Sequence, residues 1–267
     1  MNIIFFLINL LYIKENSLKS FCPKLSSKEL IYKLKTWNNF KVIYKCITNN
    51  YDILLNPKFL NYDYDYIVFS DNYFNEDYFI WEYYPIPNKI KNLKLSPIKI
   101  ERYIKINSHL VLPKKYNFSI FIDGNIYIKN DINLLLNQLK YKIGNFDLYV
   151  RKHPQRNCLY DEISAVLYYK KDTFNNIFPQ MEKSIKEGFP HNYGLPETNI
   201  LIRNHFNSKI IKLMNDWWSI LFKGSHRDQL SFSYVAWKNK DIKYAYFNYF
   251  LYKKYFHKIN HKKNIIF

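Results

Sequence analysis

With 267 residues and a mass of 32.7 kDa, the chain has room for one large α/β domain or two modest ones. Apolar residues at 48% and aromatics at 19% exclude intrinsic disorder, and 5 Gly beside 10 Pro exclude collagen-like or linker composition. The net charge of +18 admits polyanionic partners, but the basic residues are scattered, and drift toward the A/T-rich codons of Lys, Asn, Ile, Phe and Tyr explains them better.

No GxGxxG or Walker A string occurs, so a glycine-rich phosphate loop is not expected. Cys22, Cys46 and Cys158 form no CxxC pair, which argues against a zinc knuckle or a disulfide framework and for reduced thiols in a cytoplasmic setting. The apolar opening stretch Met1–Ile13 is too short to cross a hydrocarbon core of roughly 30 Å as a helix, and it has neither a basic flank nor a small-residue cleavage site. It is expected to be a packed first strand or helix, with a weak peripheral anchor at a membrane surface as the alternative.

In chain order, residues 1–40 read as a lead-in that holds a helix around Ser27–Trp37, residues 41–250 as the main domain, and residues 251–267 as a basic tail, loosely held from Tyr252 to Lys263. Lys41–Thr48 is a β-branched and aromatic run that ends in the turn-forming Asn49-Asn50-Tyr51-Asp52. Tyr66–Phe69 and Phe79–Tyr83 read as further strands. Ser96-Pro97 supplies an N-cap and an N1 proline for a helix running to about Leu112. Ser119–Ile122 is a strand ending in Asp123-Gly124-Asn125, and Asp131 opens a helix through Leu139. Phe146–Val150 and Asn199–Arg203 complete the inner strands. Helices are expected at 159–170, 173–187, 207–222 and 227–238, with a last strand at Lys243–Phe247 and a candidate mobile active-site loop from Gly188 to Pro196. Strands alternating with helices predict a layered α/β fold with a mostly parallel sheet. In such sheets the ligand crevice lies outside the carboxyl ends of the strands.

Four polar groups stand out against that frame. Asp123-Gly124-Asn125 closes a strand expected to be buried, and a carboxylate there is costly unless paired or bound to a cation. Its two side chains suit a hard divalent ion, Mg²⁺ or Mn²⁺, with diphosphate oxygens and water filling the other positions; an ordinary turn explains the same residues. Arg102, Lys105 and His109 are spaced i, i+3, i+7, which puts them on one helical face and suits a diphosphate, although a solvated basic face would look the same. The run from Arg151 to Glu162, which holds Lys152, His153, Arg156 and Asp161, and the segment Arg227–Phe232 are dense in polar chemistry, although a loop followed by an acidic helix start explains the first. Asp228 either caps a helix or takes a proton from an acceptor hydroxyl. Trp217-Trp218 reads as core, with a sugar platform as the alternative.

Together with Thr48-Asn49-Asn50-Tyr51-Asp52, Asp65–Asp71, Lys152-His153-Pro154, Gly188-Phe189-Pro190, Glu197…Asn199…Arg203 and Arg227–Phe232, these motifs resemble in order a glycosyltransferase-like family once described as a domain of unknown function. It has plant members linked to mucilage and pectin polysaccharides, and bacterial and viral members. The resemblance spans about 40–248. It implies a GT-A-like α/β fold, with a mostly parallel sheet flanked by helices in a single domain, and a nucleotide-sugar-dependent transferase acting on a glycan-type acceptor. By the same resemblance, Asp123 and Asn125 would hold Mn²⁺ or Mg²⁺. Thr48, Asn50 and Asp71 would line the nucleoside pocket, and Arg102, Lys105 and His109 would face the diphosphate. Lys152, His153, Arg203, Arg227 and Trp218 would sit on the acceptor side, with Asp228 and Glu197 as catalytic carboxylates. Asn125 stands where the second Asp of a DxD turn is usual, and His205 and His226 are candidates for a third metal ligand. A non-catalytic basic protein binding nucleic acid or an anionic membrane is the contrasting expectation; acids clustered at strand ends count against a nucleic-acid groove.

Overall fold

The computed structural model describes residues 39–73 and 80–261. The expectations for Met1–Ile13 and Ser27–Trp37 lie outside the described residues. The first strands are β1 (Lys41–Ile47), β2 (Asp65–Ser70) and β3 (Trp81–Pro85). The short helix α1 (Asn88–Lys91) follows, then α2 (Pro97–Ile106) and α3 (Ser108–Val111). Next come β4 (Phe118–Ile122), β5 (Ile126–Ile128), α4 (Ile132–Lys142) and β6 (Leu148–Lys152). The second half contains α5 (Leu159–Tyr168), α6 (Phe174–Lys186), β7 (Pro196–Arg203), α7 (Ser208–Lys223) and α8 (Asp228–Lys238). It closes with β8 (Tyr244–Phe247), α9 (Tyr249–Tyr255) and β9 (Phe256–Lys258).

A seven-stranded sheet runs in the order β3-β2-β1-β4-β7-β6-β8. Every neighbouring pair in it is parallel except the two that β7 makes, with β4 and with β6. The inner strands are buried on both faces, as covered parallel strands are, which is why β1, β2 and β4 read as continuous apolar runs. Helices supply that cover. Trp217, Leu213 and Met214 of α7 and Leu230, Phe232 and Val235 of α8 join β-strand residues in one hydrophobic core. No helix among the described residues is long and apolar enough to cross a membrane.

Three local outcomes depart from the sequence expectation. The helix begun by Ser96, whose Oγ accepts from Lys99 N at 3.4 Å, ends at Ile106 rather than at Leu112. Asn107 takes φ −92° and ψ 46°, and the carbonyls of Lys105 and Ile106 turn to Arg203 instead of extending the ladder. The segment from Gly188 to Pro196 is anchored rather than open: Phe189 is buried, with Tyr160, Tyr193, Tyr234 and Trp237 around its ring.

The basic tail is likewise held as far as His261. Leu251, Tyr252, Tyr255 and Phe256 are buried, and β9 pairs antiparallel with β5 in a small second sheet. Its lysines dominate the composition, but its aromatic side decides where it lies. This clamp runs directly behind Asp123: Ile259 N donates to Asn125 O at 2.9 Å, and Asn125 Nδ2 donates to Ile259 O at 2.7 Å.

Candidate active site

A cavity of about 750 Å³ opens at the carboxyl ends of β1 and β4, where a sheet of this kind places its ligand crevice. Asp123 leaves β4 into it. Asp123 N donates to Asn199 O at 3.0 Å and Ile126 N returns to Asp123 O at 3.0 Å, so the turn is closed by backbone bonds on both sides. The backbone at Gly124 passes close to Asp52: a Cβ there would stand 2.7 Å from Asp52 Oδ2 and displace it. Beneath the turn, Lys45 reaches from the middle of β1 and donates to Ile126 O at 2.6 Å and Gly124 O at 3.2 Å. Lys45 is fully buried. Burial, partly offset by the charges of Asp52 and Asp123, brings its pKa down to about 7.

Two groups of charges flank Asp123. On one side, Asp52 Oδ1 lies 2.9 Å from His261 Nδ1, and the His261 ring rests against Tyr51. On the other, Lys105 Nζ stands 3.3 Å from Asp123 Oδ1 and 2.6 Å from Asp228 Oδ2, and Arg102 Nε is 3.3 Å from the same Asp228 oxygen. Burial opposes ionisation of Asp228, but Arg102 and Lys105 outweigh it and hold the carboxyl well below the usual carboxylate range. Glu101, which contacts Arg102 and also lines the cavity, is shifted the other way: burial pushes its carboxyl up despite Arg102 and Lys105.

The far wall carries Glu197, held by Arg151 Nη1 at 2.5 Å and Lys258 Nζ at 3.3 Å. His153, Arg156 and Glu162 adjoin it, with Lys171, His226 and Arg227 beyond.

The structure gathers Thr48, Arg102, Lys105, Asp123, His153, Glu197, Arg227 and Asp228 around one cavity. Thr48 Oγ1 donates to Pro97 O at 2.9 Å, which ties the β1 end to the start of α2. Other expected site residues stand elsewhere. Asp71 accepts from Asn49 N at 2.8 Å, acting on a lining residue from behind, and Asn50 Oδ1 accepts from Asn72 Nδ2 at 3.2 Å. Because α2 stops at Ile106, the expected stripe is broken: His109 bonds to Asn215 at 3.1 Å and does not line the cavity.

Asn125 is buried outside the cavity lining, with its Oδ1 unpartnered. Lys152 is exposed outside the lining. Trp218 packs on Tyr103 and Phe222, and Trp217 is core, its Nε1 donating to Ser231 Oγ at 3.0 Å.

Arg203 does not reach the cavity. It is wholly buried, donating to the carbonyls of Lys105 and Ile106 and to Tyr44 Oη, and so holds the end of the helix that presents Lys105. Of the two histidines weighed as a third metal ligand, His226 lines the cavity with Nδ1 3.1 Å from Asp172. His205 is buried outside it, and desolvation reinforced by Arg203 lowers its pKa to about 3. Sequence reasoning passed over Lys45, Glu101, Lys171 and His261, and named Arg156 only within a polar run. It also left Asp52 in a turn without assigning it to the site. A lysine inside the apolar run of β1 was the clearest signal, since it must find partners when buried.

Residues 90–262 match the family model described as TOD1/MUCI70, glycosyltransferase-like domain. The chain belongs to this glycosyltransferase-like family. The matched span includes Asp123, Glu197, Asp228 and His261. No curated protein matches the chain.

Among solved structures, mouse xyloside xylosyltransferase 1 in its apo form is similar at 11% identity, with 78% of this chain and 85% of that chain covered and a TM-score of 0.44. Core-mannan synthase A of Aspergillus fumigatus in a Mn/GDP form is similar at 10% identity, with coverage of 74% and 69% and a TM-score of 0.42. The galactosyltransferase LgtC, in complex with donor and acceptor sugar analogues, is similar at 10% identity, with coverage of 77% and 73% and a TM-score of 0.41.

Proposed function

We propose that the protein transfers a sugar from a nucleotide-sugar donor to a hydroxyl group of a glycan-type acceptor, with the donor diphosphate drawn to the Asp123 turn. The observation that carries this is the placement of Asp123, at the carboxyl end of an inner strand, facing a cavity and opposed by Lys105. As the sugar leaves, negative charge grows on the diphosphate, and preorganised cations there favour the transition state over the ground state. Lys105 and Arg102 supply that charge. Thr48 and Asn49 line the nucleoside end, with Asp71 fixing the Asn49 backbone from behind.

Asp228 and Glu197 act by holding cations. Asp228, kept ionised by Arg102 and Lys105, is a weak proton acceptor, and its value lies in fixing both groups toward the diphosphate. Glu197 orders Arg151 and Lys258 in the same manner.

Mn²⁺ or Mg²⁺ fits the residues at the turn. Asp123 and Asp52 face the same cavity as His261 and offer carboxylate and imidazole donors to a divalent ion, whereas Asn125 lies outside the lining. Among the described residues no group of three or more His, Cys, Asp and Glu is arranged as a ready metal cluster, so diphosphate oxygens and water would fill the remaining positions. When bound, the ion would neutralise the departing diphosphate.

Thermal-shift titration with UDP, GDP and ADP, with and without Mn²⁺, tests the proposal. A shift with at least one diphosphate that is lost in Asp123→Ala, while the variant still melts cooperatively, is the expected result. Equal shifts in the wild type and the variant would remove Asp123 from the donor site.

A further inference from the structure

The cavity has a second end that the transfer chemistry above does not use. Arg156 enters it after β6, Lys171 after α5, and His226 and Arg227 from the approach to α8. The acids of this region are already engaged. Glu162 lies 2.5 Å from Arg156 Nε and 3.7 Å from His153 Nε2. Asp172 accepts from Ser225 Oγ at 2.5 Å and lies 3.1 Å from His226 Nδ1, and Asp228 is taken by Lys105 and Arg102.

Arg227 and Lys171 are placed differently. Among the described residues no carboxylate comes within 4.0 Å of either. The Arg227 side chain reaches only Gln229 Oε1, at 3.5 Å, and its Nε is buried without a partner. Lys171 is exposed at the cavity's edge, its Nζ 5.5 Å from the Tyr169 ring centroid; desolvation and the charge of Arg227 lower its pKa, against the opposing charge of Glu162. Glu162 and Asp228 act on these two cations only at longer range, so the hydrogen-bonding positions of both are open to a further anion. A planar guanidinium beside an ammonium suits a carboxylate or phosphate, which accepts from both.

We propose that Arg227 and Lys171 receive an anionic group, a carboxylate or a phosphate, carried by the acceptor. The word acceptor rests on the transferase function proposed above; the anion site itself rests on two cations that line one cavity with no carboxylate of the described residues within 4.0 Å. The cavity then has two ends of different duty, one for the donor diphosphate and one that selects acceptors by charge.

The test titrates glucose, glucuronate and glucose 6-phosphate into the full chain, with inorganic pyrophosphate present to occupy the Asp123 end. Two charge-assisted contacts predict that at least one anionic sugar binds about tenfold or more tighter than glucose, and which one does so tells carboxylate from phosphate. Lys171→Gln combined with Arg227→Gln is expected to bring all three within about twofold, and Arg227→Lys alone to keep the preference. Equal binding of the three sugars by the wild type, or a preference that survives the double variant, overturns the proposal. If the double variant fails to fold, a graded loss across Lys171→Gln and Arg227→Gln singly supports the site, and no loss in either overturns it. A parallel titration with UDP, GDP and ADP separates the two ideas. Nucleotide binding without a charge preference overturns the anion site alone, whereas a charge preference without nucleotide binding upholds the anion site and counts against the transferase function.

Discussion

The two ends of the cavity are built on opposite electrostatic terms. Around Asp123 the acids that line the cavity are each paired: Asp123 meets Lys105, Asp228 meets Lys105 and Arg102, and Asp52 meets His261. The turn itself is clamped from below by Lys45 and from behind by the β5–β9 pair. Around Arg227 and Lys171 the charge is left open. A site that must stabilise one developing charge gains from groups fixed in advance. A site that selects an incoming anion gains from cations whose counter-charge only the ligand brings.

Breaking the ordered end should have the largest effect. Removing the carboxylate in Asp123→Ala is expected to cut donor turnover by about 10²–10³-fold, the scale of losing one electrostatic element of a preorganised site. A nucleotide-release assay reads it, and turnover within a few-fold of wild type would show that the ordered end is not where the chemistry happens. Next comes Arg203→Met. It strands the Ile106 carbonyl in the core and leaves Lys105 O with Tyr44 Oη alone, so urea unfolding should show a loss of about 2–4 kcal/mol. If the variant is as stable as wild type, Arg203 is not what terminates α2.

Much of the ordered end was legible in the chain. The runs at β1 and β4 are apolar because both faces of an inner parallel strand are covered, and the Ser96-Pro97 cap gives α2 its start. Asp123, Lys105, Arg102 and Asp228 were singled out from residue type and position, and all four line one cavity. What stayed hidden depends on partners remote in sequence. An apolar run carries no direction, so the antiparallel course of β7 left no mark. The break after Ile106 is made by Arg203, 97 positions downstream. His261 meets Asp52 across 209 positions, through a tail whose lysines mask its buried Tyr252, Tyr255 and Phe256. Lys171 lies just past α5, where a lysine looks like ordinary solvated surface.

A smaller change sharpens the contrast by moving one group without deleting any. In Gly124→Ala the new Cβ would meet Asp52 Oδ2 at 2.7 Å, and the carboxylate must swing away from its place beside His261. The melting temperature should fall little, because a side-chain end can move, while turnover should fall by about tenfold to a hundredfold from misplacement near the diphosphate. Unchanged turnover would mean that Asp52 has no part in ordering that end.

The smallest expected effect, on folding stability alone, lies beneath the turn. The folded Lys45 ammonium titrates at about 7, whereas an unfolded lysine titrates near 10.4. Below pH 7 both states carry the proton and stability is independent of this group. Between pH 7 and 10 the unfolded chain holds more protons, so stability rises with pH, by at most about 1.4 kcal/mol per unit for one full proton. Unfolding by urea at pH 7.5, 8.5 and 9.5, below the range where tyrosines titrate, should show the wild type gaining stability relative to Lys45→Met as pH rises, the opposing contribution of the buried Cys46 thiol being common to both. Parallel profiles would place the ammonium in contact with solvent. A gain relative to the variant would show that the ordered end holds a cation at a cost, because its two carbonyl bonds fix the turn that carries Asp123.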